Sequence, residues 1–363
     1  MSEAFGILIT FLPLFVIMIL ANIAEKQRRA GEPYRGTSMF AYFLLAGFYM
    51  MAFVAGGLIQ LGGFALTQQP ELLDEILAFT DGVNPLEQIS SLNLLGMGLW
   101  IPALIGSLLL MPFIRRLLAQ FIPIDASSPV HAVALSSTML ILINLLFTLG
   151  IGLANFNTLL EEAAADGANL AGSFISLWSQ QIVMAILAAV GVGLFTRYAF
   201  SPQGFSTTMK RLGIEIPSFA QVVQGFFYGI LLVPVAGFVG FLGSLTGFGP
   251  DPDVEVLAEQ LLGPLLESPF GILTIGLAAA LGEEPLFRGA LQPRFGLLLT
   301  ALLFAILHSN YGISISTVVV FVLGLALGWI RIQHNTTTSM ITHAVYNMSL
   351  GIISYLSLPF FDA

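Results

Sequence analysis

Three polar motifs interrupt long apolar runs in the C-terminal half of this chain, and each has helical spacing. The first is Glu283-Glu284-Pro285-Leu286-Phe287-Arg288-Gly289, lying between apolar runs at 270–281 and 295–307. The second is Phe304…His308 and the third His343…Asn347. A charge at the centre of a bilayer costs roughly 2.5–3.5 kcal/mol on insertion scales, so a chain keeps one there only if it is paired, faces a cavity or does chemistry. On a helix Glu284 and Arg288 share a face and can pair. Glu283 points about 100° away and has no such cation. A carboxylate so placed suits a general base acting on water. Pro285 removes a backbone donor and loosens the helix, freeing carbonyls to line a wet cavity. Phe304 can pack over His308 and fix its ring. His343 and Asn347 share a face, and their N–H groups could converge on a developing oxyanion. A carboxylate base, a partner histidine and two donors are the minimum set for hydrolysing an amide without a covalent intermediate.

The elements that must position these residues are transmembrane helices. Mean hydropathy is +0.91, and 9% of residues are charged, against about 25% in soluble domains. An all-α, polytopic bundle follows, because only helices and closed barrels span membranes and these runs have helix length. The net charge of −9 marks no special ligand, since the charges are segregated by loop. No nucleic-acid partner is expected; the partners expected are the lipid bilayer and a membrane-anchored peptide or protein. Cysteine is absent, which removes disulfides, a thiolate nucleophile and Cys-based metal sites. The first apolar run, Phe5 to Ile23, has no basic residue before it and reads as a retained span rather than a cleaved signal peptide.

Apolar runs of roughly 17–25 residues give about ten spans, near 5–23, 38–62, 92–113, 131–154, 172–196, 219–247, 268–288, 295–310, 312–330 and 337–358. Lys26, Arg28, Arg29 and Arg35, then Arg115 and Arg116, then Arg197, Lys210 and Arg211, then Arg294 and Arg331 occupy alternate loops. The intervening loops are acidic: Glu71, Asp74, Glu75, Asp81 and Glu87; Glu161, Glu162 and Asp166; Asp251 to Glu267. The positive-inside rule then puts both termini outside. Residues 64–91 read as an outer loop with an interfacial helix, and 199–217 as a cytoplasmic connection with turn chemistry. A soft boundary there divides residues 1–200, about five spans of unassigned function, from 201–363, which hold every motif residue. His308 lies far from Arg294 along its span while Glu283 and His343 lie nearer the cytoplasmic side. Either residues 290–296 dip into the membrane or the site is near its middle.

Taken together, EExxxR, FxxxH and HxxxN on successive spans resemble the CAAX protease and bacteriocin-processing (CPBP, or Abi) family, which includes the Ras-converting CAAX prenyl endopeptidases. Phe287, Gly289 and Trp329-x-Arg331 also fit its bacterial members. The resemblance runs from about 205 to 358. It implies a glutamate-dependent intramembrane endopeptidase in a prokaryotic plasma membrane, cutting membrane-associated peptides, prenylated CAAX-like ones among them, with no cofactor. Carried over residue by residue, Glu283 and His308 activate water and His343 with Asn347 forms the oxyanion hole. Glu284, Arg288 and Phe304 shape the site. A zinc-dependent alternative uses Glu283, His308 and His343 as ligands with one position open. Another alternative is a non-catalytic transporter, immunity or scaffold protein, though a transporter would show inverted repeats, and none is visible. HExxH and GxSxG are absent, and Pro250 interrupts a GxGD-like Gly247–Asp251.

Overall fold

The computed structural model describes residues 2–68, 85–153, 155, 157, 170–198, 201–249, 251–308 and 311–361. The acidic residues Glu71, Asp74, Glu75, Asp81, Glu161, Glu162 and Asp166 lie outside the described residues, as does the middle of the expected 64–91 loop. Among the described residues the chain is helical. Its elements are α1 (Ser2–Ala30), α2 (Arg35–Gln68), α3 (Pro85–Leu109), α4 (Pro112–Leu118), α5 (Pro129–Ile151), α6 (Leu170–Val192) and α7 (Pro202–Leu212). There follow α8 (Phe219–Leu245), α9 (Pro252–Leu266), α10 (Pro269–Glu284), a π-helical segment (Pro285–Leu291), α11 (Gln292–Leu307), α12 (Ile315–Gln333) and α13 (Thr336–Phe361). Among the described residues eight helical runs are long and apolar enough to cross a membrane. Large apolar side chains such as Phe43, Leu58, Phe227 and Phe238 face outward from α2 and α8. This is an integral, multi-pass membrane bundle with hydrocarbon as its outer solvent.

Serine caps set several helix starts. Ser218, Ser268 and Ser314 each accept a backbone N–H of their own first turn, and Ser218 forms a capping box with Gln221. The first four long helices pack around Ile17, Leu45, Tyr49, Ala103 and Val133. A second core joins Leu109 and Leu135 of that group to Phe287, Phe295, Leu303 and Phe304. The N-terminal helices therefore pack directly on the motif-bearing segment. On its other side α8, α12 and α13 meet at Leu232, Leu323, Leu327 and Tyr346. At one end of α1, Glu25 takes Arg28 and Arg29, and Arg28 reaches Asp125 at 2.8 Å. Burial acts to raise the Asp125 carboxyl, but bonds from Ser127 and the Arg28 charge hold it below its ordinary range.

Two expectations are corrected. Residues 199–217 are not only a connection: Pro202–Leu212 is helical, capped by Ser201. The expected loop around Arg294 between the seventh and eighth spans is also absent, because the helix runs through it. Pro285 cannot donate to the α-ladder, and the chain passes into π-helix to Leu291 and on into α11. The break comes at Gly296, with φ 79° and ψ 173°, a backbone region open mainly to glycine. Arg294 is accordingly buried, not in a loop; it bonds the Ala290 carbonyl and, through Nη2, that of Gly191 at 3.4 Å. Glu283 precedes the break and His308 follows it by nearly equal lengths, about 18–20 Å at 1.5 Å per residue. The apparent mismatch in their depths disappears once the path turns at Gly296.

Candidate active site

Glu284 is the most enclosed polar group of the three motifs, with no exposed surface. Its Oε2 accepts the Ser339 hydroxyl at 2.5 Å and lies 3.3 Å from Arg288 Nε. Its Oε1 lies 3.0 Å from His343 Nδ1. Two hydrogen-bonding groups and a guanidinium charge around one carboxylate are the arrangement of an ionised acid, so His343 Nδ1 carries a proton and Nε2 is the ring's working atom. Ser339 and His343 are four apart on α13, so one helix face brings both to α10.

Phe304 joins the three motifs. Its ring takes the Arg288 guanidinium at 4.2 Å, packs edge-on to His308 at 4.9 Å and lies 6.0 Å from His343. Phe287 closes another edge at 5.2 Å. His308 caps the end of α11, and its Nδ1 is 2.8 Å from the Phe304 carbonyl. A carbonyl only accepts, so Nδ1 holds the proton and Nε2 presents a lone pair. Tyr311 stacks on His308 at 5.8 Å. Burial, then the Glu283 carboxylate, pushes its phenol above the ordinary value.

Glu283 is 7% exposed. Its Oε1 accepts the Gln181 side-chain amide at 3.1 Å, while Oε2 has no hydrogen-bond partner among the described residues. Asn347 is half-buried, one turn beyond His343 on α13.

The segment that holds this geometry also has relatives. Residues 265–349 match the family described as type II CAAX prenyl endopeptidase Rce1-like. These residues are similar to that family. The match takes in all three motifs, over a shorter stretch than the 205–358 expected, and it implies peptidase activity. No curated protein and no solved structure matches the chain.

Within the Rce1-like segment, the Glu284–Arg288 pair and the packing of Phe304 on His308 are present as their spacing implied. Trp329 is half exposed. Among the described residues no group of three His, Cys, Asp or Glu is arranged to hold a metal ion. Sequence reasoning missed Ser339, which spacing from His343 could have revealed. It also missed Gln181, which lies outside the Rce1-like segment and whose only signal is a polar pair, Gln180-Gln181, in an apolar span.

Proposed function

We propose that this protein is a glutamate-dependent intramembrane endopeptidase acting on membrane-associated peptides, prenylated CAAX-like ones among them. The reading rests on the Rce1-like match together with one observation: Phe304 and Glu284 tie the three motifs into one site. Water enters beside Glu283, whose unpartnered Oε2 takes its proton as the oxygen attacks the scissile carbonyl. His308 Nε2, an acceptor, orients the same water. The negative charge that develops on the carbonyl oxygen is met by Asn347 and by His343 Nε2–H. The Nε2 proton is taken up from solvent water before the attack and stays on the ring through it, the Glu284 carboxylate at Nδ1 compensating the charge of the doubly protonated ring. Collapse of the tetrahedral intermediate breaks the C–N bond, and the proton held by Glu283 passes to the leaving amine. Arg288 neutralises Glu284 and is itself shielded by the Phe304 face.

The alternating Lys and Arg support an orientation with both termini outside and the connections carrying Arg28 and Lys210 in the cytoplasm. The deciding experiment is cleavage of a panel of prenylated and merely membrane-anchored peptides by detergent-purified protein, with Glu283→Gln alongside. The wild type should cleave and the variant, equally folded, should not. Full turnover by Glu283→Gln would refute the assignment.

A further inference from the structure

We propose that Gln181, on α6, is a positioning residue for the general base, so that the N-terminal half of the chain supplies part of the site. This rests on the reading of Glu283 given above. Gln181 is 6% exposed, and its Nε2 donates to Glu283 Oε1 at 3.1 Å. Glu283 has two oxygens and rotates freely unless one is held. Holding Oε1 leaves Oε2 as the oxygen that faces the reaction. Gln181 Oε1 is likewise buried without a partner among the described residues, so the amide spends its donor on Glu283 and makes no other bond. A packing residue has no use for that arrangement, since a leucine would fill the same space with no polar atom to bury.

A second observation accounts for the reach. α6 and α10 cross at Gly282, the residue before Glu283. A Cβ there would lie 2.6 Å from the Gln181 carbonyl oxygen and would also meet its side chain. Only a bare backbone lets the helices approach this closely, and the approach sets the amide beside the carboxylate. The C-terminal end of α6 is fixed as well, because Asn22, Arg294 and Arg197 donate to the carbonyls of Val190, Gly191 and Val192. The Gln181 amide is thus delivered from a helix held at its crossing and at its end. Among the described residues the charged and titratable groups that face Glu283 from other elements are Arg288, Tyr311 and, across the water, His308, and none of them hydrogen-bonds it.

The test uses full-length protein and the prenylated peptide turned over fastest by the wild type. Gln181→Met keeps the volume without the donor; kcat should fall on the order of 10²-fold, the size of a misplaced reacting group, with KM unchanged. Gln181→Glu keeps the shape and turns the donor into an acceptor, so kcat should fall further. Infrared difference spectra supply a readout that needs no substrate. The carboxylate band absent from Glu283→Gln should shift in Gln181→Met, whereas a packing role would leave it in place. An unmoved band, or wild-type kcat in Gln181→Met beside an inactive Glu283→Gln, overturns the positioning role and leaves the glutamate reading standing. Turnover by Glu283→Gln overturns both.

Discussion

Glu284→Gln separates stability from chemistry at one atom pair. In the native protein the carboxylate, wholly buried, answers Ser339 at 2.5 Å, His343 at 3.0 Å and Arg288 at 3.3 Å. The amide keeps the volume and one acceptor but removes the charge. Arg288, 1% exposed, is then left with the Gly324 carbonyl at 3.4 Å and the Phe304 face. Breaking a buried pair costs about 3–5 kcal/mol, and because glutamine still accepts from Ser339 the expected loss is near the lower end, about 3 kcal/mol. Activity should fall separately. Glu284 acts only through His343, so its removal cannot cost much more than losing that one oxyanion donor, about 10²–10³-fold in kcat. The assay is turnover of an internally quenched prenylated peptide, read well below the unfolding midpoint, with thermal unfolding followed on the same sample. Wild-type stability would refute the ion-pair argument. Wild-type kcat would refute the coupling to His343, and a loss far beyond that of His343→Ala would give Glu284 a direct role.

Three other outcomes follow from the same geometry. Glu283→Gln should insert, fold and melt like the wild type but show no turnover, because its charge has no cation to orphan; a lowered midpoint would mean that the carboxylate is structural. His343→Ala and Asn347→Ala should each lower kcat about 10²–10³-fold, and the double variant scarcely more, as for groups acting as a unit. Stoichiometric zinc lost together with activity in His343→Ala would instead favour the metal alternative. Cysteines at Ala30 and Gln203 should label only from the cytoplasm and one at Glu259 only from outside, against a parent without cysteine; labelling of 30 and 259 from the same side overturns the orientation.

The motif residues were legible in the sequence because hydrocarbon makes polar groups conspicuous and spacing of four fixes which pairs share a face. That logic found Glu284–Arg288 and Phe304–His308 with no tertiary information. It could not find the contact between Glu284 and His343, which depends on how α10 lies on α13, and so the carboxylate that holds the third motif was assigned only a shaping role. Gln181 was hidden for the same reason. Pro285 signalled a loosened helix, but whether the chain would widen into π-helix or break into a loop depends on what packs around it. Here Phe287 and Phe295 are buried in a core shared with α3 and α5, which favours continuing the helix. Arg294 misled because its charge counts as a loop marker in a linear reading, while in the fold it serves the carbonyls of Ala290 in the π-helical segment and Gly191 at the end of α6.

The turn at Gly296 bears on how this protein enters the membrane. After it, α11 has eleven residues to Leu307, about 16 Å of helix against a hydrocarbon core of about 30 Å. An arm so short cannot partition on its own hydropathy. It packs against α5, made earlier, and α12, made later. Motif two therefore depends on docking against α5 and α12 to be held in the membrane. Stable insertion of the arm carrying His308 should then track its docking on α12, so that a chain ending before residue 315 is expected to leave this arm outside the lipid.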